Sequence, residues 1–133
     1  MRFECQTGCT ACCQQRGFVY LTAGDCAGMA AFLGLELADF ERRYVYRTKN
    51  LMRLRVPRDT QCPFLKAQAC SIYSARPVQC RTFPFWPELV SDKREWRKTA
   101  RWCPGIGKGE LVQIASAREA ARQMREAHPN LYR

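Results

Sequence analysis

The segment CQTGCTACC, residues 5–13, places four cysteines within nine residues near the start of the chain. That density of thiols is compatible with disulfides, a metal centre, an iron–sulfur cluster or a redox-active pair. Four more cysteines follow in stretches rich in proline and aromatic residues: Cys62 in QCPF, Cys70 in ACSIY, Cys80 in RPVQCRTFPF and Cys103 in WCPG. The rest of the sequence has to distinguish these alternatives.

Two features of the sequence argue against disulfides. The N-terminus lacks the charged and then apolar pattern of a signal peptide, and no apolar run reaches the length of a membrane span. We therefore expect a cytoplasmic protein that does not associate with membranes, and cytosolic thiols are kept reduced. The odd total of nine cysteines also disfavours a complete set of disulfides.

Cysteines held on loops by prolines are typical of metal ligation. A proline directly after Cys62 and after Cys103 keeps these cysteines out of the helical region. Thiolates bind zinc at about 2.3 Å, so they must converge closely, which short loops allow. Cys26, in an alanine-rich segment, is expected to be a small buried side chain instead. The eight candidate metal ligands are Cys5, Cys9, Cys12, Cys13, Cys62, Cys70, Cys80 and Cys103.

The number and type of metal centres stay open at this level. Eight ligands suffice for two four-thiolate sites, and a single cluster with spare thiols also fits. Cys12 and Cys13 are neighbours whose side chains diverge, so they serve two centres or only one of them binds. All-sulfur ligation suits both zinc and an iron–sulfur cluster. The one histidine, His128, is expected at the surface or at a helix end rather than on the metal.

The remaining pattern predicts a small α+β fold. We expect a single metal-binding domain over residues 1–133, rich in helix, with few short strands and an irregular cysteine-rich region. Thr22 and Asp25 have capping-box spacing ahead of a helix that Gly34 ends. Further elements are a strand over 17–22, a helix over 36–46, a strand over 51–57, and helices over 92–103 and 109–128. Residues 58–90 are expected to be turn-rich with one short strand or helical turn, and PGIGKG, 104–109, to form a turn.

Four motifs together resemble a known family. CxxxCxxCC at 5–13, CPFL at 62–65, CSIYSARPVQCRTFPF at 70–85 and CPGIGKG at 103–109 are similar to the YkgJ-type cysteine-cluster proteins, which are zinc- or iron-chelating domains. The resemblance implies that the same eight cysteines are the ligands, and it implies no particular metal or reaction. A flagellin lysine methylase carries a related cysteine cluster, so one alternative is an iron–sulfur redox or accessory module related to protein lysine methylation.

Arg76 and Arg81 lie on either side of Cys80 within the third motif. We expect both arginines to donate hydrogen bonds to thiolates or to an anionic ligand and to offset the negative charge of the centre. The aromatic residues of the same motif are expected to form the apolar surroundings of the metal centre: Tyr73, Phe83, Phe85 and Trp86.

The chain is basic, with a formal net charge of +10. Eight thiolates and two zinc ions would lower that charge to +6, because the thiolates add eight negative charges and the ions return four positive ones. Such a charge favours solubility over nucleic-acid binding. A basic surface that includes Arg53, Arg55 and the helical face from Arg94 to Arg101 nevertheless leaves a metal-stabilised nucleic-acid-binding protein as a further alternative. No catalytic residue stands out, and the sequence predicts a metal-binding protein rather than an enzyme.

Overall fold

The computed structural model describes residues 1–5, 18–55, 62–66 and 69–132. These residues form short strands interspersed with helices, which confirms the expected α+β class. The strands are β1 Arg2–Phe3, β2 Tyr20–Leu21, β3 Val45–Arg47, β4 Met52–Leu54, β5 Leu65–Lys66, β6 Ala69–Cys70 and β7 Ile106–Leu111. The helices are α1 Ala23–Leu33, α2 Leu37–Tyr44, α3 Val78–Thr82, α4 Pro87–Ser91, α5 Lys93–Ala100 and α6 Ile114–Ala127. Among the described residues, no helix combines the length and the apolar character that crossing a membrane requires.

Helix α1 begins and ends where the sequence predicts. The Thr22 hydroxyl accepts a hydrogen bond from the Asp25 N–H, and the Asp25 carboxylate accepts one from the Thr22 N–H, both at 2.9 Å. Gly34 follows the helix with φ +69°, in the left-handed region that glycine adopts at low cost. Cys26 is fully buried in this helix, as expected.

Strand β4 lies in the middle of a three-stranded antiparallel sheet with the order β2–β4–β3. The register pairs Val45 with Leu54, and both side chains are buried. They pack in a core with Phe40 of α2 and with Phe64 and Ile72 of the central region. The predicted strand over 51–57 is confirmed for Met52–Leu54, and its last two residues lie outside the described residues.

The first strand, β1, pairs with β7 in a second antiparallel sheet. The predicted turn over 104–109 is therefore wrong, because most of it belongs to the strand Ile106–Leu111 and the last helix begins only at Ile114. Main-chain pairing with β1 holds this strand, and its side chains after Ile106 are exposed. Gly107 and Gly109 take φ values of +91° and +76°, which glycine permits. Side-chain patterning therefore gave no signal for the strand.

The central cysteine-rich stretch is more regular than expected. Strands β5 and β6 form a hairpin in which Leu65 pairs with Cys70, and the short helices α3 and α4 follow. The prediction of one short element over 58–90 is wrong, because these pieces are too short for side-chain periodicity to mark them. Residues 58–61 and 67–68 of that stretch lie outside the described residues.

Helix α6 packs against α3 and α4 through the buried side chains of Ala117, Ala121 and Met124. His128 follows its last turn and is almost completely buried. The prediction of a helix-end position is confirmed, whereas a surface position is wrong.

Candidate metal centre

Five of the eight candidate ligands lie among the residues that the structure describes. Cys9, Cys12 and Cys13 lie outside the described residues. Among the residues that the structure describes, no three His, Cys, Asp or Glu side chains form a group that could hold a metal ion. The candidates inside the described part lie in turns, in a hairpin or in a short helix: Cys5, Cys62, Cys70, Cys80 and Cys103.

Cys5 and Cys103 are brought to the same place by the pairing of β1 with β7. The Glu4 N–H donates a hydrogen bond to the Gly105 carbonyl at 3.0 Å, directly before Cys5 and two residues after Cys103. A Cβ atom on Gly105 would lie 2.4 Å from the Glu4 carbonyl oxygen, so this close approach of two backbones requires glycine. The side chain of Cys103 is buried, and that of Cys5 is exposed. The backbone directly before Cys5 is therefore anchored beside the segment that follows Cys103, almost a hundred residues later in the chain.

Cys70 lies in strand β6 of the β5–β6 hairpin, and Cys62 lies three residues before β5. Cys70 pairs with Leu65, and the Ser71 N–H donates to the Phe64 carbonyl at 2.8 Å, which continues the hairpin towards Cys62. Both cysteines are half-buried and pack against the hydrophobic core.

Cys80 lies in the single-turn helix α3, and buried polar side chains on both sides of the helix fix its position. The Val78 N–H donates to the second oxygen of the Asp25 carboxylate at 3.1 Å, so Asp25 caps α1 and α3 together. The amide of Gln79 accepts from the Tyr20 N–H at 2.9 Å and donates to the Phe18 carbonyl at 2.8 Å. Helix α3 is therefore fastened to the segment that leaves the N-terminal cluster.

Aromatic contacts connect the segments that carry Cys5, Cys80 and Cys103. The ring of Phe83, after α3, stacks on Trp102 with centroids 5.4 Å apart. Phe85 meets the edge of Phe3 at 5.8 Å and stacks on Trp96 at the same distance. These contacts agree with the expected apolar surroundings for Phe83 and Phe85.

Tyr73 does not join these aromatic contacts. Its side chain is 53% exposed, and the expectation that it belongs to the apolar surroundings of the metal stays a prediction. Arg76 stacks on the Tyr73 ring, with its Cζ atom 3.8 Å from the centroid, and its Nε–H donates to the Tyr73 carbonyl at 2.9 Å. Arg81 is exposed. A hydrogen bond from either arginine to a thiolate stays a prediction.

The ninth cysteine differs electrostatically from the ligand candidates. Burial, and secondarily the nearby Glu41 and Asp25 carboxylates, raise the pKa of the Cys26 thiol to about 11. A thiol with such a pKa is protonated at neutral pH and is a poor metal ligand. The structure thus agrees with its exclusion from the candidate set.

Sequence reasoning missed the residues that position the candidate ligands. Asp25 has a recognisable capping pattern, but its second acceptor role towards Val78 depends on a contact 53 residues away. Gln79 carries no local signal, because its partners Phe18 and Tyr20 lie at least 59 residues away in the sequence. Gly105 carries none either, because its partner Glu4 lies near the start of the chain.

A family model described as "CxxCxxCC: Putative zinc- or iron-chelating domain" matches residues 4–104. The matched range contains all nine cysteines and ends immediately after Cys103. The first gap of the N-terminal motif holds three residues in this chain, one more than in the name of the family. No solved structure matches the chain.

Proposed function

Because the chain belongs to the CxxCxxCC family of zinc- or iron-chelating domains, we propose that it holds zinc or an iron–sulfur cluster through cysteine thiolates. In this proposal the ligands are drawn from the eight candidate cysteines, and the N-terminal cluster shares a centre with Cys103. Cys26 takes no part.

One contact carries this proposal. The hydrogen bond of 3.0 Å from the Glu4 N–H to the Gly105 carbonyl joins the residue before Cys5 to the segment that follows Cys103, which supports a shared centre. A thiolate site built from distant parts of a chain needs such main-chain anchoring, since the entropy of closing a long loop opposes it. The backbones of Glu4 and Gly105 approach so closely that no Cβ atom fits at Gly105, which also supports a defined contact between these two segments.

The chemistry of the donor set fits both metals. When bound, zinc supplies a structural cross-link, and an iron–sulfur cluster adds one-electron redox capacity. Cysteines bind these metals as thiolates, so binding releases protons and strengthens as the pH rises. Trp102, directly before the buried Cys103, stacks on Phe83, which supports apolar surroundings for the thiolates in this proposal.

We also infer that residues 1–133 form one metal-binding domain. The segment beyond the matched range contributes β7, which pairs with β1, and α6, which packs against α3 and α4. These contacts attach it to β1, which ends two residues before Cys5, and to α3, which carries Cys80. The C-terminal segment therefore completes the scaffold of the centre in this proposal.

The experiment is anaerobic purification of the full chain, followed by elemental analysis and visible absorption spectroscopy. A colourless protein containing zinc identifies a zinc centre, and a brown protein containing iron and sulfide identifies a cluster. Cys103→Ala is expected to weaken binding of the identified metal at least about 10–100-fold, the loss that even an outer-shell partner causes. Cys26→Ala is the matched control, because it removes a buried cysteine that the proposal excludes.

Two results would contradict the proposal. One is an anaerobically purified protein that contains neither metal and does not take up either one on reconstitution. The other is equal metal content and affinity in Cys103→Ala and Cys26→Ala, with both variants folded by circular dichroism.

A further inference from the structure

One face of the three-stranded sheet carries aromatic and basic side chains that are not among the candidate metal ligands. Tyr46 of β3 pairs directly with Arg53 of β4. The Leu54 N–H donates to the Val19 carbonyl at 2.9 Å, which extends the pairing of β4 to the residue after Phe18. We call Phe18, Tyr46 and Arg53 the aromatic platform.

The members of the aromatic platform stack on one another. The Cζ atom of Arg53 lies 3.8 Å from the centroid of the Phe18 ring and 4.7 Å from that of the Tyr46 ring. Phe18 is 47% exposed and Tyr46 is 45% exposed. Each ring therefore keeps solvent-facing surface, on which a further planar group can stack.

Hydrogen bonds hold the backbone of the residues that form the aromatic platform. Gln79 bonds the Phe18 carbonyl and the Tyr20 N–H through the two ends of its side-chain amide. Tyr46 is fixed by its strand pairing with Arg53. Because the backbone that carries these side chains is held by hydrogen bonds, a ligand that stacks on them does not have to order the main chain.

Basic side chains surround the platform. Arg55 is exposed, and strand alternation places it on the same face as Arg53. Lys49 is exposed in the turn between β3 and β4. Arg47, the neighbour of Tyr46 in β3, lies on the opposite face of the sheet and is ion-paired with Glu41 at 2.8 Å. The chain as a whole has a formal net charge of +10. The surface is thus complementary to a polyanion.

We propose that the aromatic platform binds single-stranded nucleic acid. Bases stack on the exposed surfaces of Phe18 and Tyr46, and the phosphate backbone meets the guanidinium groups of Arg53 and Arg55. Rigid aromatic rings among cationic side chains are how sequence-tolerant proteins bind single strands. A duplex hides the faces of its bases, and an acidic protein segment offers charge but few planar groups for the rings. None of the residues of this proposal is among the candidate metal ligands.

The test for stacking uses the full-length, metal-loaded protein and a short fluorescently labelled oligouridylate in an anisotropy titration. Tyr46→Ala is expected to weaken binding by about 5- to 150-fold, the range for loss of one base–aromatic stack. Tyr46→Phe keeps the ring and is expected to bind as the unchanged protein does. Equal affinities of the two variants would overturn the proposal.

The test for phosphate contacts uses the dependence of affinity on salt. Arg55→Ala is expected to reduce the magnitude of the slope of log K against log salt concentration by about 0.7, the contribution of one contact to a single strand. Arg97→Ala removes the same charge from the exposed face of α5 and is expected to leave the slope unchanged. Equal effects of these two variants would contradict a site on the sheet. Inorganic polyphosphate and unlabelled oligouridylate are also compared as competitors at matched charge. If they compete equally well, the surface recognises negative charge alone and the proposal is overturned.

Discussion

The side-chain amide of Gln79 joins helix α3 to the backbone of Phe18 and Tyr20, so replacing Gln79 tests this part of the structure. Gln79→Met keeps the length of the side chain and removes both hydrogen bonds, of 2.8 and 2.9 Å, to Phe18 and Tyr20. Phe18 is exposed, so water replaces the lost bond at its carbonyl, at a net cost of about 1 kcal/mol. The Tyr20 N–H lies at a half-buried residue, where a lost bond costs about 1–3 kcal/mol. We expect the free energy of unfolding to fall by about 2–4 kcal/mol in total.

The measurement is urea unfolding of the metal-loaded protein, followed by circular dichroism. The matched control is Gln123→Met, because Gln123 is an exposed glutamine on α6 whose amide makes a single bond of 3.3 Å to Glu119. That substitution is expected to change the free energy of unfolding by less than about 0.5 kcal/mol. If Gln79→Met also stays within that limit, the amide does not hold α3 in place and the reasoning is refuted.

Three further substitutions test other parts of the structure. Gly105→Ala would bring its Cβ to 2.4 Å from the Glu4 carbonyl oxygen, so the free energy of unfolding is expected to fall by about 1–3 kcal/mol; unchanged urea unfolding would exclude the close approach. Burial lowers the pKa of His128 below its usual value of 6.5, so the unfolded chain binds more protons, and stability should be complete above about pH 6.5 and decline below it. His128→Phe is expected to remove that part of the decline in urea unfolding followed from pH 7.5 to 5, and an unchanged pH profile would contradict the assignment. Burial raises the pKa of Cys26 to about 11, so mass spectrometry after native iodoacetamide treatment at neutral pH should find Cys26 unmodified, and early alkylation there would refute its burial.

The sequence correctly predicted those elements whose bounds depend on interactions between residues close together in the chain. The Thr22–Asp25 spacing and the position of Gly34 correctly marked both ends of α1, since a capping box and a left-handed glycine act on neighbouring backbone groups. The alternation over Met52–Leu54 marked the central strand in the same way. The match of the family model to residues 4–104 confirms that the spacing of the cysteines identified the family.

Elements that depend on distant main-chain pairing escaped sequence reasoning. The glycine-rich strand β7 looked like a turn, because its order comes from β1 and not from its own side chains. The hairpin at Cys70 and the helix at Cys80 are too short to show a period.

The sequence alone established the number of thiols, their position beside prolines and the α+β class, and it predicted an all-sulfur donor set. These properties depend on residue types and on spacings within single motifs, which the chain carries whether or not it is folded. The tertiary structure alone decided that Cys5 lies beside the Cys103 turn, that Gln79 ties α3 to Phe18, and that Phe18, Arg53 and Tyr46 stack on one sheet face. Those arrangements join groups that are distant in the chain, and only the packing of the folded molecule determines which distant groups meet.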